Sequence, residues 1–225
     1  MTFKNYHIIN ESAQDVLDKA DELHEYSTEE IMDMFSDPFE WEENWDVRKL
    51  FTRKFGWAIP SKDAIDVIRE YNSNNYLLDL MAGTGYWTHL MKKAGGINVR
   101  AYDMSPGEGK MDKVEYGMQG VITGVRVKKQ EALKTIKAAN RWMDQTDNQA
   151  NIFMSWPPYN LPIGYQIAQA MKSGTILFYV GEQAGGCTGC DQMHGHLSAN
   201  FLELATVRIP TFEGIHDFLG VYLKK

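Results

Sequence analysis

The spacing of apolar residues changes near residue 76. Before that point they recur at helical intervals. Ser12 stands ahead of Val16, Leu17, Ala20 and Leu23 and predicts a capped helix. Ser27 or Thr28 starts a second, short helix carrying Ile31, Met32 and Phe35. Asp37-Pro38 ends it, because proline disfavours helix in the residue before it. Phe39, Trp41, Trp45, Leu50 and Phe51 then supply a large aromatic surface. Ser61 predicts the cap of a further helix with Ala64, Ile65, Val67 and Ile68 turned inward.

From Tyr76 onward short apolar runs alternate with helical patterns. Strands are predicted over residues 76–80, 97–102 (ending at Asp103), 121–127, 151–156 and 175–180. Helices are predicted over 86–93, 131–142 and 163–171. Runs at 202–209 and 218–223 close the chain with no long helix between them, near enough to pair antiparallel. Strands alternating with helices imply a doubly wound α/β fold, a mainly parallel sheet with helices on both faces. The change of texture divides the chain into a helical extension, 1–75, and an α/β body, 76–225.

Charge sharpens that division. The chain has 225 residues and a net charge of −7. Residues 11–46 hold 14 acidic residues and one basic one, Lys19, so the rest of the chain is positive. Residues 92–141 carry 11 basic against 5 acidic side chains. The acidic extension is therefore read as a solvated helix face, or as an arm contacting a protein partner or the basic face of its own body. Its charge opposes phosphate contact, while the basic stretch leaves a nucleic-acid acceptor open. No apolar run is long enough to span a bilayer, so no membrane partner is expected, and residues 1–10 do not read as a signal peptide. Two cysteines make no disulfide framework, which predicts a reducing, cytoplasmic setting.

The candidate chemistry begins where strand one meets its helix. Asp79-Leu-Met81-Ala82-Gly83-Thr-Gly85 places two glycines at that turn. Glycine lets a backbone turn tightly and approach a ligand, and free N–H groups at a helix start favour negative charge. Asp103 lies 18 residues after Gly85, at the end of strand two, where an acid can accept the hydroxyls of a ribose. Tyr86 and Trp87 follow Gly85 directly and are expected to touch the same ligand.

The pattern resembles motif I of the class I S-adenosylmethionine-dependent methyltransferases. The resemblance implies a seven-stranded sheet with a closing antiparallel strand, and S-adenosyl-L-methionine as cofactor. It implies that Asp79, Met81, Ala82, Gly83, Gly85, Tyr86, Trp87, Asp103, Met104 and Ala132 line the cofactor site. Met81 departs from the family pattern, in which glycine is common.

Strand four runs into Ser155-Trp156-Pro157-Pro158-Tyr159. Two prolines forbid helix and further ladder bonds, so a rigid, extended loop ends in an aromatic ring. This is similar to motif IV of the amino-methyltransferases, Asp/Asn/Ser-Pro-Pro-aromatic. There the residue before the prolines and the first proline carbonyl accept hydrogen bonds from the target nitrogen, and the aromatic ring stacks on it. Here Trp156 stands where the acceptor is expected, and Ser155 lies one residue earlier. The resemblance implies methyl transfer to a nitrogen of a nucleic-acid base or small molecule, with Ser155, Trp156, Pro157, Pro158 and Tyr159 as the catalytic loop. The alternatives are an enzyme that cleaves the same cofactor, and a non-catalytic binding module.

A wider likeness over roughly residues 48–223 is to methyltransferase-like proteins of unassigned activity. It is carried by Trp57-Ala-Ile-Pro60, Trp156-Pro-Pro-Tyr159, Val180-Gly-Glu182, Gly185-Gly-Cys-Thr188 and Gly214-Ile-His-Asp217. It nominates Trp57, Glu182, Cys187 and His216 as lid or substrate residues. Cys187, Cys190, His194 and His196 are four potential zinc ligands within ten residues. A structural zinc site usually joins two separated ligand pairs, so this run is read as a glycine-rich lid ahead of a helix starting near Asp191, with no metal.

Overall fold

The computed structural model describes residues 11–35, 41–108, 110–111, 114–115 and 120–225. Residues 1–10, the Asp37-Pro38 stop and Phe39 lie outside them, as do the side chains of Ser12, Trp41 and Trp45. The elements are α1 (Glu11–Asp18), a 3-10 turn (Ala20–Glu25), α2 (Thr28–Asp33), α3 (Trp41–Lys54), α4 (Lys62–Asn72), β1 (Tyr76–Leu80), α5 (Tyr86–Ala94) and β2 (Asn98–Asp103). A two-residue pair follows, β3 (Lys110–Met111) and β4 (Val114–Glu115). Then come β5 (Val127–Lys129), α6 (Ala132–Asp144), β6 (Ala150–Ser155), α7 (Ile163–Ala170), β7 (Ile176–Gly181), α8 (Asp191–Asn200), β8 (Phe201–Arg208) and β9 (Phe218–Lys224).

Seven strands form one sheet in the order β5-β2-β1-β6-β7-β9-β8. The first five are parallel neighbours, and β9 is antiparallel to both β7 and β8. The expected doubly wound, mainly parallel sheet with an antiparallel close is thus present. Successive strand residues face opposite sides and build two cores. Leu77, Phe153 and Phe178 pack with α4, α5 and the N-terminal helices; Leu78, Ile152, Met154 and Leu177 pack with α6, α7 and α8.

The N-terminal helices fold because their caps and their apolar faces agree. Ser27 closes a capping box with Glu30 at the start of α2. Ser61 Oγ accepts the Ala64 N–H at the start of α4. Val16, Ala20, Leu23, Ile31, Val47 and Phe51 are all fully buried in the first core. Thr28 joins three elements: its N–H donates to Asp63, and its hydroxyl bonds Ser61 Oγ and the Arg208 carbonyl. Asp21 accepts from Lys93 and pairs with His89, so the acidic segment meets the body at one end of the basic stretch. That pairing holds the Asp21 carboxyl below its usual range.

One predicted strand is corrected. Residues 121–126 form no strand, and the strand is only Val127–Lys129. Gly120 and Gly124 take φ of +100° and +83°, which bends the run, and residues 122–125 close a turn. The backbone there bonds the glycine loop instead of a strand: the Ile122 N–H donates to the Thr84 carbonyl at 2.8 Å.

Candidate functional site

In a sheet of this order the crevice lies at the carboxyl ends of β1 and β6, where the winding reverses. β1 leads into the glycine loop. Met81, Gly83 and Gly85 take φ of +65°, +56° and +81°. The loop needs left-handed backbone three times in five residues. Met81 adopts it without being glycine, at a cost of about 1–2 kcal/mol. Gly85 caps α5, and a Cβ there would lie 2.8 Å from Val127 Cγ2 and 2.9 Å from Val125 Cγ1. Gly85→Ala is expected to lower the unfolding free energy by at least about 1 kcal/mol in urea titrations. An unchanged midpoint would contradict this geometry.

Asp103 fixes the loop from the end of β2. Its two carboxylate oxygens accept the Gly83 N–H at 2.9 Å and the Ser105 N–H at 2.7 Å. Each oxygen keeps a further lone pair for another donor. The Gly83 carbonyl accepts from Gly107, and the Thr84 hydroxyl donates to the Phe55 carbonyl, which seats the segment before α4 over the loop. Asp79 is 2% exposed beneath the loop and accepts from the Thr88 hydroxyl at 2.7 Å. Burial pushes its carboxyl up to about 7.

These elements enclose a cavity partly open to solvent. Its lining includes Asp79, Met81, Ala82, Gly83, Tyr86 and Trp87, together with Phe55, Trp57, Ser155 and Trp156. Tyr86 and Trp87 are almost wholly buried, and the Tyr86 hydroxyl donates to the Ala20 carbonyl. Gly85, Asp103, Met104 and Ala132 do not line it. Met104 is 52% exposed, and Ala132 packs against the second core.

The Pro-Pro loop divides at Trp156. Ser155 and Trp156 reach the cavity, whereas Pro157, Pro158 and Tyr159 do not. The Pro157 carbonyl accepts the Gly189 N–H at 2.8 Å, and the Asn160 N–H donates to the Gly189 carbonyl. The first-proline carbonyl therefore braces the 182–190 loop in this structure, and Tyr159 stands 60% exposed. Trp156 has φ of +49°, and its ring stacks on Trp57 with centroids 5.2 Å apart. Its indole N–H donates to Asp217 Oδ2 at 2.8 Å.

Asp217, rather than the nominated His216, turns its side chain to Trp156. It is 6% exposed, and burial pushes its carboxyl up to about 7. Glu182 lies near it, 4% exposed, with its oxygens accepting the Cys187 N–H at 2.6 Å and the His216 N–H at 2.9 Å. Those bonds hold the Glu182 carboxyl down although burial opposes them. Glu182, Cys187 and His216 thus meet at one carboxylate, which the His216 ring also approaches at 3.5 Å, while Trp57 stacks on Trp156. The His216 side chain itself is 83% exposed. Arg48, also unforeseen, lies on α3 with its guanidinium 5.4 Å from the Trp57 ring and 5.7 Å from the Trp156 ring. Arg48 is one of four basic residues on α3, and nothing in the sequence singles it out. Asp217 does stand in the quoted Gly214–Asp217 run, as the last polar residue before β9.

Cys190 caps α8, His194 bonds the Thr188 carbonyl, and His196 meets Asn200 and Lys224. Among the described residues no three histidine, cysteine or acidic side chains stand together as metal ligands. Among them, too, no helix is long and apolar enough to cross a membrane.

No protein-family model and no curated protein sequence matches the chain. Solved structures with a similar course include an S-adenosylmethionine-dependent methyltransferase from Anabaena variabilis ATCC 29413. It is 13% identical over 82% of this chain and 93% of that one, with a TM-score of 0.48. N-methyltransferase NodS from Bradyrhizobium japonicum WM9 is 12% identical over 72% and 94%, at 0.43. TehB from Haemophilus influenzae is 14% identical over 79% and 67%, at 0.42. At these scores the likenesses carry no argument about this chain, whose fold rests on its own strand order and pairing.

Proposed function

We propose that the chain binds S-adenosylmethionine at the glycine loop and transfers its methyl group to a nitrogen of a nucleic-acid base or small molecule. One observation carries the reading: a left-handed glycine loop after β1 is tied by hydrogen bond to an acid at the end of β2, at the sheet's switch point. The residues present suit the cofactor. Gly83 keeps a side chain out of its path, Gly85 lets the loop turn against Val125 and Val127, and Asp103 retains lone pairs for ribose hydroxyls.

The cofactor supplies a methyl group on a sulfonium, already a good leaving group. The protein's part is positioning and exclusion of water. Trp57 and Trp156 form an apolar wall, and Ser155 offers a hydroxyl that accepts a hydrogen bond from the target nitrogen. Trp156 cannot accept one, because indole is only a donor. The acidic segment is proposed to contact a protein partner or the chain's own body, in a cytoplasmic setting.

Product analysis tests the reaction. Incubation with S-adenosylmethionine and acceptor pools is expected to yield adenosylhomocysteine in step with methylated acceptor. Cofactor breakdown without any methylated acceptor would replace transfer by cleavage.

A further inference from the structure

Beside the cavity, Trp57, Trp156, Glu182 and Asp217 form a cluster of two stacked indoles and two buried carboxylates. Cation-attracting ring faces and negative charge stand together in it. Both Glu182 oxygens accept backbone N–H groups, so that charge is fixed in place. Asp217 differs. Oδ2 accepts the Trp156 indole N–H, but Oδ1 is buried and accepts no hydrogen bond among the described residues. A buried carboxylate oxygen without a donor is costly and marks a place suited to an N–H group. The chain already sets one planar cation beside this cluster, since the Arg48 guanidinium lies against both indole rings. Arg48 also stands within electrostatic reach of Asp217, Cys187 and Glu182.

We propose that this cluster recognises a guanidinium or amidinium group on the acceptor through the open Asp217 Oδ1, and that Arg48, set beside it on the indole rings, competes for the same acidic pair. The shape favours a flat cation over a compact ammonium, because stacked indoles offer faces and a guanidinium offers a fork of N–H donors. Two buried carboxylates also disfavour a phosphodiester beside them. The inference narrows the acceptor class and rests on the transfer reading for the chemistry, though not for the binding.

The test uses agmatine as the guanidinium probe and N-carbamoylputrescine as its neutral urea counterpart, by calorimetry on the full chain. Arg48→Met, which removes that competing cation, is expected to bind agmatine about tenfold tighter than the native chain. Adding Asp217→Asn should abolish that gain, and the urea should bind neither chain. Equal agmatine affinity in a folded Arg48→Met chain, or equal binding of the urea, overturns the proposal. The native chain gives a reading that does not depend on how the variant folds. Agmatine should move the indole N–H resonances of Trp57 and Trp156, and unmoved resonances count against the site. S-adenosylmethionine is titrated in parallel. If it binds and agmatine does not, only this inference fails; if agmatine binds and it does not, only the transfer reading fails.

Discussion

Phe51→Ala is expected to destabilise the whole chain by about 3–5 kcal/mol, the range for emptying a buried aromatic site. Phe51 is completely buried. Its ring centroid lies 5.1 Å from Phe55, 5.7 Å from Tyr86 and 5.6 Å from Phe212. Those partners come from the same N-terminal segment, from the helix after the glycine loop, and from the loop before β9. The substitution therefore removes contacts from three parts of one core. Urea unfolding followed by both tryptophan fluorescence and far-ultraviolet dichroism checks this. Coincident curves shifted by that amount are expected. A loss under about 1 kcal/mol, or an early phase in one probe alone, would show that the helices before β1 melt apart from the sheet.

The second large effect concerns pH. Asp79 and Asp217 both have carboxyls raised to about 7, with burial as the first cause. A raised folded-state value means that the folded chain holds a proton the unfolded chain has lost. Their contribution is fully present below about pH 4 and is lost as pH rises through about 7. Asp79→Asn isolates one of them. Asparagine keeps a carbonyl oxygen to accept from Thr88, yet carries no charge. At pH 8 the variant should be more stable than the native chain by roughly 1–4 kcal/mol, the upper figure being the full raise of about three pH units. At pH 4 the two should nearly coincide. Equal stability at pH 8 would show that Asp79 is ionised in the fold without penalty.

The fold was largely legible because its signals were local. Ser27 and Ser61 announced their helices by capping chemistry, and the apolar runs at 76–80 and 151–156 are too short and too continuous for anything but buried strands. Residues 121–127 misled because Val121, Ile122, Val125 and Val127 look like a strand. Gly120 and Gly124, both left-handed, turn the backbone toward Thr84 instead. The glycine loop and Asp103 could be placed from spacing alone, since the end of one strand and the end of its neighbour adjoin in any doubly wound sheet. The Pro-Pro loop was read less well. Its prolines did give a rigid turn, but which carbonyl is engaged depends on Gly189, 32 residues onward. Arg48 and Asp217 come from distant parts of the chain, and only the packed fold brings them to Trp156, although Asp217 stands in the Gly214–Asp217 run.

The glycine loop and Asp103 are proposed to form a nucleoside-binding site for S-adenosylmethionine. The most direct measurement is calorimetric titration of that molecule into the native chain and into Asp103→Ala. Removing Asp103 takes away the acceptor proposed for the ribose and the anchor of the Gly83 N–H together. Saturable one-to-one binding to the native chain is expected, with an affinity weaker by at least about tenfold in the variant, or roughly 1.4 kcal/mol. Absence of heat from the native chain at millimolar ligand, or the same affinity in both chains, would contradict it.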